Sequence, residues 1–240
     1  MRISRAELAS LMIEDVAKAR AGELAAPKVV IASNGAVIAA YHRDRSFRAL
    51  VDSTDIIDPD GQSLVFATRL FWREPLTERV ATTDFIIDAA AAAEREGVRF
   101  YFLGAKPGIA ARAAERLQSQ FPALQIVGVE HGYFDPKDMD ALCARIRASG
   151  ADVLWLGLGS PLQEAFALAH KEQLRGLAWI RTCGGMFDHQ AGTIPRAPMW
   201  MQKAGLEWLF RALHEPGRLG WRYTSTNPSA VYHLLTKTRD

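Results

Sequence analysis

The chain has 240 residues, 49% of them apolar, with a formal net charge of +2. That length suits one large domain or one domain with an appendage, and so small an overall charge leaves no general polyanion-binding footprint. Two cysteines, Cys143 and Cys183, are too few for a disulfide framework or a zinc site, and no apolar run reaches the ~18 residues of a membrane span.

Ser4-Arg-Ala-Glu7 is a capping-box pattern and predicts a helix to about Arg20. The acidic residues Glu7, Glu14 and Asp15 stand where a signal peptide would be apolar, so a cytoplasmic location is expected. Lys28 to Ala32 reads as a buried strand ended by Ser33-Asn34-Gly35, followed by a helix through Tyr41 and a short one around Phe47, Leu50 and Val51. Asp55 to Ile57 is a short strand, Asp58-Pro-Asp-Gly61 is a turn by composition, and Gln62 to Trp72 is helical. Thr82 or Thr83 caps a helix that stops before Gly97. Val98 to Leu103 is an apolar strand that meets Gly104-Ala-Lys-Pro-Gly108, where Pro107 opens the next helix. Leu124 to Val127 is a strand, His131-Gly-Tyr-Phe134 a loop, and Asp135-Pro136 starts a helix to Ser149.

Asp152 to Glu164 is the most informative stretch. Val153 to Leu156 are apolar without alternation, as a parallel strand covered on both faces requires. Gly157 and Gly159 bracket a turn, and Ser160 and Pro161 open a helix as N-cap and first helical residue. Such a unit leaves backbone N–H groups beside a strand end, where phosphates settle in open α/β sheets. Leu177 to Arg181 is a further strand, ended by Cys183-Gly-Gly185. The alternation predicts a mostly parallel α/β sheet with helices on both faces over residues 1–195. From Arg196 it stops. Leu206, Leu209, Phe210 and Leu213 repeat at helical spacing, Pro216-Gly217 ends that helix, and Asn227-Pro228 caps a short last one. Residues 196–240 read as a helical appendage. It holds seven Lys/Arg against three acids, a net +4, and three of the six tryptophans, Trp200, Trp208 and Trp221.

The strand ends deliver Ser33-Asn34, Asp58 and Asp60, Gly104 with Lys106, His131 and Tyr133, Gly159 with Gln163, and Gly184-Gly185 with Asp188 to one crevice. This set suits a nucleotide: glycines for close phosphate approach, Tyr133 to stack on a base, and Asp188 for ribose hydroxyls. Asp60 is either a turn residue or a general base, and His131 and His189 are either structural or ligands and bases. Asp58-Pro-Asp60 has the outline of a metal-binding Asp-x-Asp but reads as a turn, and no histidine pair has ligand spacing, so chemistry without a metal or other cofactor is expected. No G-x-G-x-x-G follows a strand and no P-loop is present, which disfavours an oxidoreductase.

Several motifs, in order, resemble the WecG/TagA/CpsF family of glycosyltransferases over about Lys28 to Tyr232. They are Asp60-Gly61 after a strand, Arg79-Val80 with Asp84, Phe102-Leu-Gly-Ala-Lys-Pro-Gly108 and His131-Gly-Tyr-Phe134. Gly157-Leu-Gly-Ser-Pro-Leu-Gln-Glu164, Gly184-Gly-Met-Phe-Asp188, Arg196-Ala-Pro198, Gly205-Leu-Glu-Trp-Leu-Phe-Arg211 and Glu215-Pro216 with Arg218-Leu219 follow. The resemblance implies a Rossmann-like catalytic domain and an inverting enzyme that moves a sugar from a UDP-sugar to a sugar on a polyprenyl diphosphate, in exopolysaccharide or other cell-surface polysaccharide synthesis. It implies Asp60 as general base, assisted by Asn34. Arg79, the Gly159–Ser160 amides and Arg211, Arg218 or Arg222 are candidates to stabilise the departing UDP. The appendage is implied to meet the inner face of the cytoplasmic membrane and to close over the site. Where the family has Thr-x-Asn after the first strand, this chain has Ala32-Ser33-Asn34. That departure supports a rival reading, a catalytically inactive UDP-sugar-binding regulator, and the donor is glucose or N-acetylmannosamine with a lean toward an exopolysaccharide role. The Trp- and Leu-rich tail argues against a nucleic-acid partner, while a homo-oligomer stays open.

Overall fold

The computed structural model describes residues 2–238, except for the side chains of Arg218 and Arg222. Six strands form one sheet in the order β2-β1-β6-β5-β3-β4. They are β1 (Lys28–Ser33), β2 (Ile56–Pro59), β3 (Arg99–Gly104), β4 (Gln125–Glu130), β5 (Val153–Gly157) and β6 (Trp179–Thr182). Every pairing is parallel; this is the parallel α/β sheet the alternation predicts, and it is Rossmann-like, as the resemblance implies. β5, buried along its whole length, confirms the unalternated apolar reading.

Helices cover both faces. On one side α1 (Arg5–Arg20), α5 (Thr82–Glu96), α6 (Ile109–Gln120) and α9 (Met186–Gln190) bury Leu8, Phe85, Ala113 and Phe187 against Phe100, Trp155 and Trp179. On the other, α3 (Arg45–Asp52), α7 (Met139–Ala148) and α8 (Leu162–His170) bury Phe47, Ile146 and Phe166 against Ile31, Leu154 and Ile180. The α1 capping box is formed, with Ser4 Oγ accepting from Glu7 N at 3.2 Å.

Beyond the sheet lie α2 (Gly35–Arg43), α4 (Gln62–Phe71), α10 (Met199–Lys203), α11 (Glu207–His214) and α12 (Trp221–Lys237). The C-terminal segment is helical, as expected, with two corrections. A π-helical turn, Pro216–Gly220, joins α11 to α12. And Asn227-Pro228 caps nothing: Pro228 lies inside α12, which runs 17 residues. The reason is tertiary. α12 packs along α2, and Ala230 Cβ lies 3.4 Å from where a Cβ on Gly35 would stand, so packing carries the helix past the proline.

Candidate active site

β3 connects outward to β4, whereas β5 connects the other way to β6. The connections that follow the two neighbours therefore leave in opposite directions and open between them the crevice in which such sheets bind ligands. The backbones there almost touch. Gly104 has φ +145°, and a Cβ on it would lie 2.4 Å from the Gly157 carbonyl oxygen, so only glycine fits. Gly159, at φ +78°, has open space around it. The expected cap is different: α8 starts at Leu162 after Pro161, not at Ser160, and no side-chain cap bond is made. Gln163 and Glu164 are buried in its first turn. Gln163 Oε1 accepts from Gly184 N at 3.1 Å and so fixes the loop after β6 against the loop after β5.

Asp60 stands just past β2, held by three segments. Asn34 caps α2, its Oδ1 accepting from Ala36 N and Val37 N at 3.1 and 3.3 Å. With its oxygen so committed, Asn34 Nδ2 points at Asp60 Oδ2, 3.3 Å away. Asp60 Oδ1 accepts from Thr82 N at 3.1 Å. Thr82 is the first residue of α5 rather than its cap, and Asp60 supplies from outside a bond that the preceding Ala81 side chain cannot. The α5 N-terminus thus presents its dipole and a free N–H to the carboxylate. Arg79 Nε donates to the Asp60 carbonyl at 2.7 Å and completes the cradle.

Asp58, expected in a turn facing the crevice, lies within β2 and is fully buried. Its Oδ2 sits 2.6 Å from Nη1 of Arg181, which is equally buried. Burial pushes the Asp58 carboxyl up to about 6, against the opposing pull of Arg181 and with added repulsion from Asp60. Arg181 was legible only as a strand residue. Cys183 is fully buried and its thiol is pushed up by burial, which keeps it out of nucleophilic chemistry.

On the β3–β4 side a cavity of about 220 Å³ is lined by Lys106, Gly108, Ala110, Ala111, Val129, Glu130 and His131. His131 Nδ1 accepts from Tyr133 N at 3.2 Å, and the Tyr133 ring is 66% exposed, free to take a ligand on its face. Asp188, in α9, uses its carbonyl for Thr193 N at 3.0 Å. Half-buried His189 next to it bonds the Ile194 carbonyl at 3.2 Å, and its pKa is lowered by burial and then by Arg211 and Arg196.

The C-terminal segment reaches this row of strand ends through α11. Glu207 and Arg211 lie one turn apart on it. Glu207 Oε2 accepts from Arg79 Nη2 at 2.7 Å, and its Oε1 is 3.3 Å from Arg196 Nε. Arg196 in turn pairs with Asp84 at 2.8 Å. Burial works against the Arg79 charge, but Asp60 and Glu207 more than offset it and raise its pKa. Arg79 is thus already paired within the fold. Arg211 differs: its Nη2 hangs 3.9 Å from where a Gly185 Cβ would be, and its buried Nε has no partner among the described residues. Asp60, Asn34, Arg79, Gly185 and Arg211 are therefore drawn together at the β2-β1-β6 end of the row of strand ends, with Gly159, Gly104 and Tyr133 following in turn toward β4. The expected roles of Arg218 and Arg222 fall on side chains outside the described residues.

The segment also carries large apolar side chains in the open, among them Met199, Trp200, Leu213 and Trp221, the last 78% exposed. Phe66, Leu70 and Phe71 of α4 are exposed as well, and Phe66 reaches the α10–α11 turn at Gly205. Among the described residues no helix is long and apolar enough to cross a membrane. Compared with known proteins, residues 1–240 match the profile described as Glycosyl transferase WecG/TagA/CpsF family.

Proposed function

The chain belongs to the WecG/TagA/CpsF family of glycosyl transferases, and from that premise we propose an inverting transfer of a hexose or N-acetylhexosamine from a UDP-sugar to a sugar carried on a polyprenyl diphosphate. One observation carries this reading. α11 grips the Asp60 cradle through Glu207 and Arg79, and one turn later hangs Arg211, whose buried Nε has no partner among the described residues, over Gly185. A base and a cation thereby flank one cleft.

The chemistry follows from that spacing. An acceptor hydroxyl attacks the anomeric carbon from one face while Asp60 takes its proton. The bond from that carbon to the UDP oxygen breaks on the opposite face, and the electron pair leaves with the diphosphate. Arg211, together with the open backbone around Gly159 and Gly184–Gly185, stabilises the charge that develops there. No metal enters this account. Tyr133 stacks on the uracil beside the Lys106–His131 cavity, and Asp188 accepts from the ribose hydroxyls. The exposed Trp200 and Trp221, with the basic tail, bring the site to the inner face of the cytoplasmic membrane, where a polyprenyl acceptor resides.

The test is UDP release, screened across UDP-sugars with a short-chain prenyl-diphosphate sugar as acceptor and EDTA present. Acceptor-dependent release from one donor supports the reading. Tight UDP binding without release from any donor would instead favour the non-catalytic regulator.

A further inference from the structure

The registers of the three adjoining strands place Arg181 and Asp58 on opposite sides of one small residue. Val30 of β1 pairs with both Ile56 of β2 and Arg181 of β6, and Ala32 pairs with Asp58. Registered residues in a parallel sheet point to one face, so Arg181, Val30, Ala32 and Asp58 share the face covered by α5. To reach Asp58 the Arg181 guanidinium must pass over β1 where Ala32 offers only a methyl. It closes to 2.6 Å. Its other nitrogen, Nη2, donates to Thr82 Oγ1 at 3.2 Å, and its carbon lies 5.6 Å from the Phe85 ring centroid. Thr82 is the residue whose N–H holds Asp60 at 3.1 Å. A wholly buried cation is therefore one residue away from the carboxylate, linked to it through Thr82 and, along the chain, through Asp58.

We propose that Arg181, reaching across Ala32 to Asp58 and Thr82, is a positioning residue for Asp60: it holds the α5 N-terminus, and with it the Thr82 N–H, against the carboxylate and places a buried guanidinium one residue away from it. Position 32 is where this chain departs from the Thr-x-Asn pattern. Ala32, in register with Asp58, puts only a methyl group on that side of β1. The proposal rests on the reading of Asp60 as base, but its decisive measurement does not require turnover.

That measurement is the titration of the Asp60 carboxyl carbon by NMR, assigned with Asp60→Asn, in the intact protein and in three variants. Arg181→Met should move the Asp60 midpoint up by roughly one pH unit, the scale set by losing a neighbouring cation. Asp58→Asn leaves the cation in place and should lower the midpoint or leave it unmoved. Arg181→Lys should restore much of the Arg181→Met displacement. If Arg181→Met alone does not fold, Arg181→Met with Asp58→Asn, which buries no charge, should show the same upward move. An unmoved midpoint without the arginine, or a rise in Asp58→Asn as well, would overturn the proposal, since general loosening moves both variants alike. Under the transfer reading, kcat of Arg181→Met falls about 10-fold with UDP affinity kept and the acid limb displaced upward. Absence of transfer by the intact enzyme sinks the functional reading only; an unmoved midpoint in an active enzyme sinks this one only.

Discussion

The two halves of the cleft are built by different means. The half around Gly104, Gly157, Asp60 and Asn34 is set by strand register and by backbone that cannot move: Gly104 lies against the Gly157 carbonyl, and Asp60 is bonded from two helix N-termini and an arginine. The half supplied by α10 to α12 is set by side chains. It is tied down through Arg79, Glu207, Arg196 and Asp84, and it exposes tryptophans that the core never takes up. The sheet half can define where bonds are made and broken with little freedom. The tail half can change its neighbours, from water to lipid or from Glu207 to an incoming phosphate, with no strand shifted. On the function proposed above, chemistry falls to the first and delivery to the second.

The sharpest way to break this division is Asp60→Asn. It should cost roughly 100-fold or more in turnover while leaving UDP affinity within error in calorimetry. Near-normal turnover would move the base elsewhere. Next comes stability. Gly104→Ala forces a Cβ onto backbone at 2.4 Å and strains a positive φ, so it should cost about 1–3 kcal/mol in denaturant melts. Trp221→Ser, at a side chain 78% exposed, should stay within about 0.5 kcal/mol yet weaken sedimentation with anionic vesicles. Equal losses in the two variants would erase the contrast. Tyr133→Ala should weaken UDP by about 1–3 kcal/mol, and an unchanged affinity would place the base outside the His131–Tyr133 loop. The last expectation concerns the pH dependence set by Asp58. Its pKa is raised by burial to about 6 from an ordinary 3.8, so it contributes stability below pH 4 that is lost as pH rises through 6. Asp58→Asn should remove that decline and flatten the stability profile between those values. A profile unchanged from the parent would mean that Asp58 does not titrate there.

How much of this could be read from the residues divides along the same line. The glycines at strand ends, the run Val153 to Leu156 and the Asp60-Gly61 step are local signals, and the sheet they predict is the sheet found. What sequence could not show was any partnership across it. Arg181 reads as the end of an apolar strand, because nothing near it in the chain says that Asp58 and Thr82 wait beyond β1. Asp58 reads as a turn residue for the same reason: beside Pro59 and Asp60 its composition is that of a loop, and only burial opposite an arginine makes it a strand residue. The error at Pro228 is of one kind with these. Local propensity ends a helix there, and contact with α2 overrides it.

The pairing of β1 with β6 has a consequence for how the molecule comes into being. Lys28 lies beside Trp179, so one edge of β1 has no neighbour until some 150 residues of chain separating them have been made. During synthesis β1 and β2 can pair early, but their open edge is a template for any other strand, and Asp58 waits beside it without its arginine. Closure of so long a loop comes late in folding. The charged residues at that seam, buried once it closes, make a wrong partner costly in the meantime. The seam that Arg181 spans to reach Asp58 is thus expected to form late and to be open to mispairing while the chain is made.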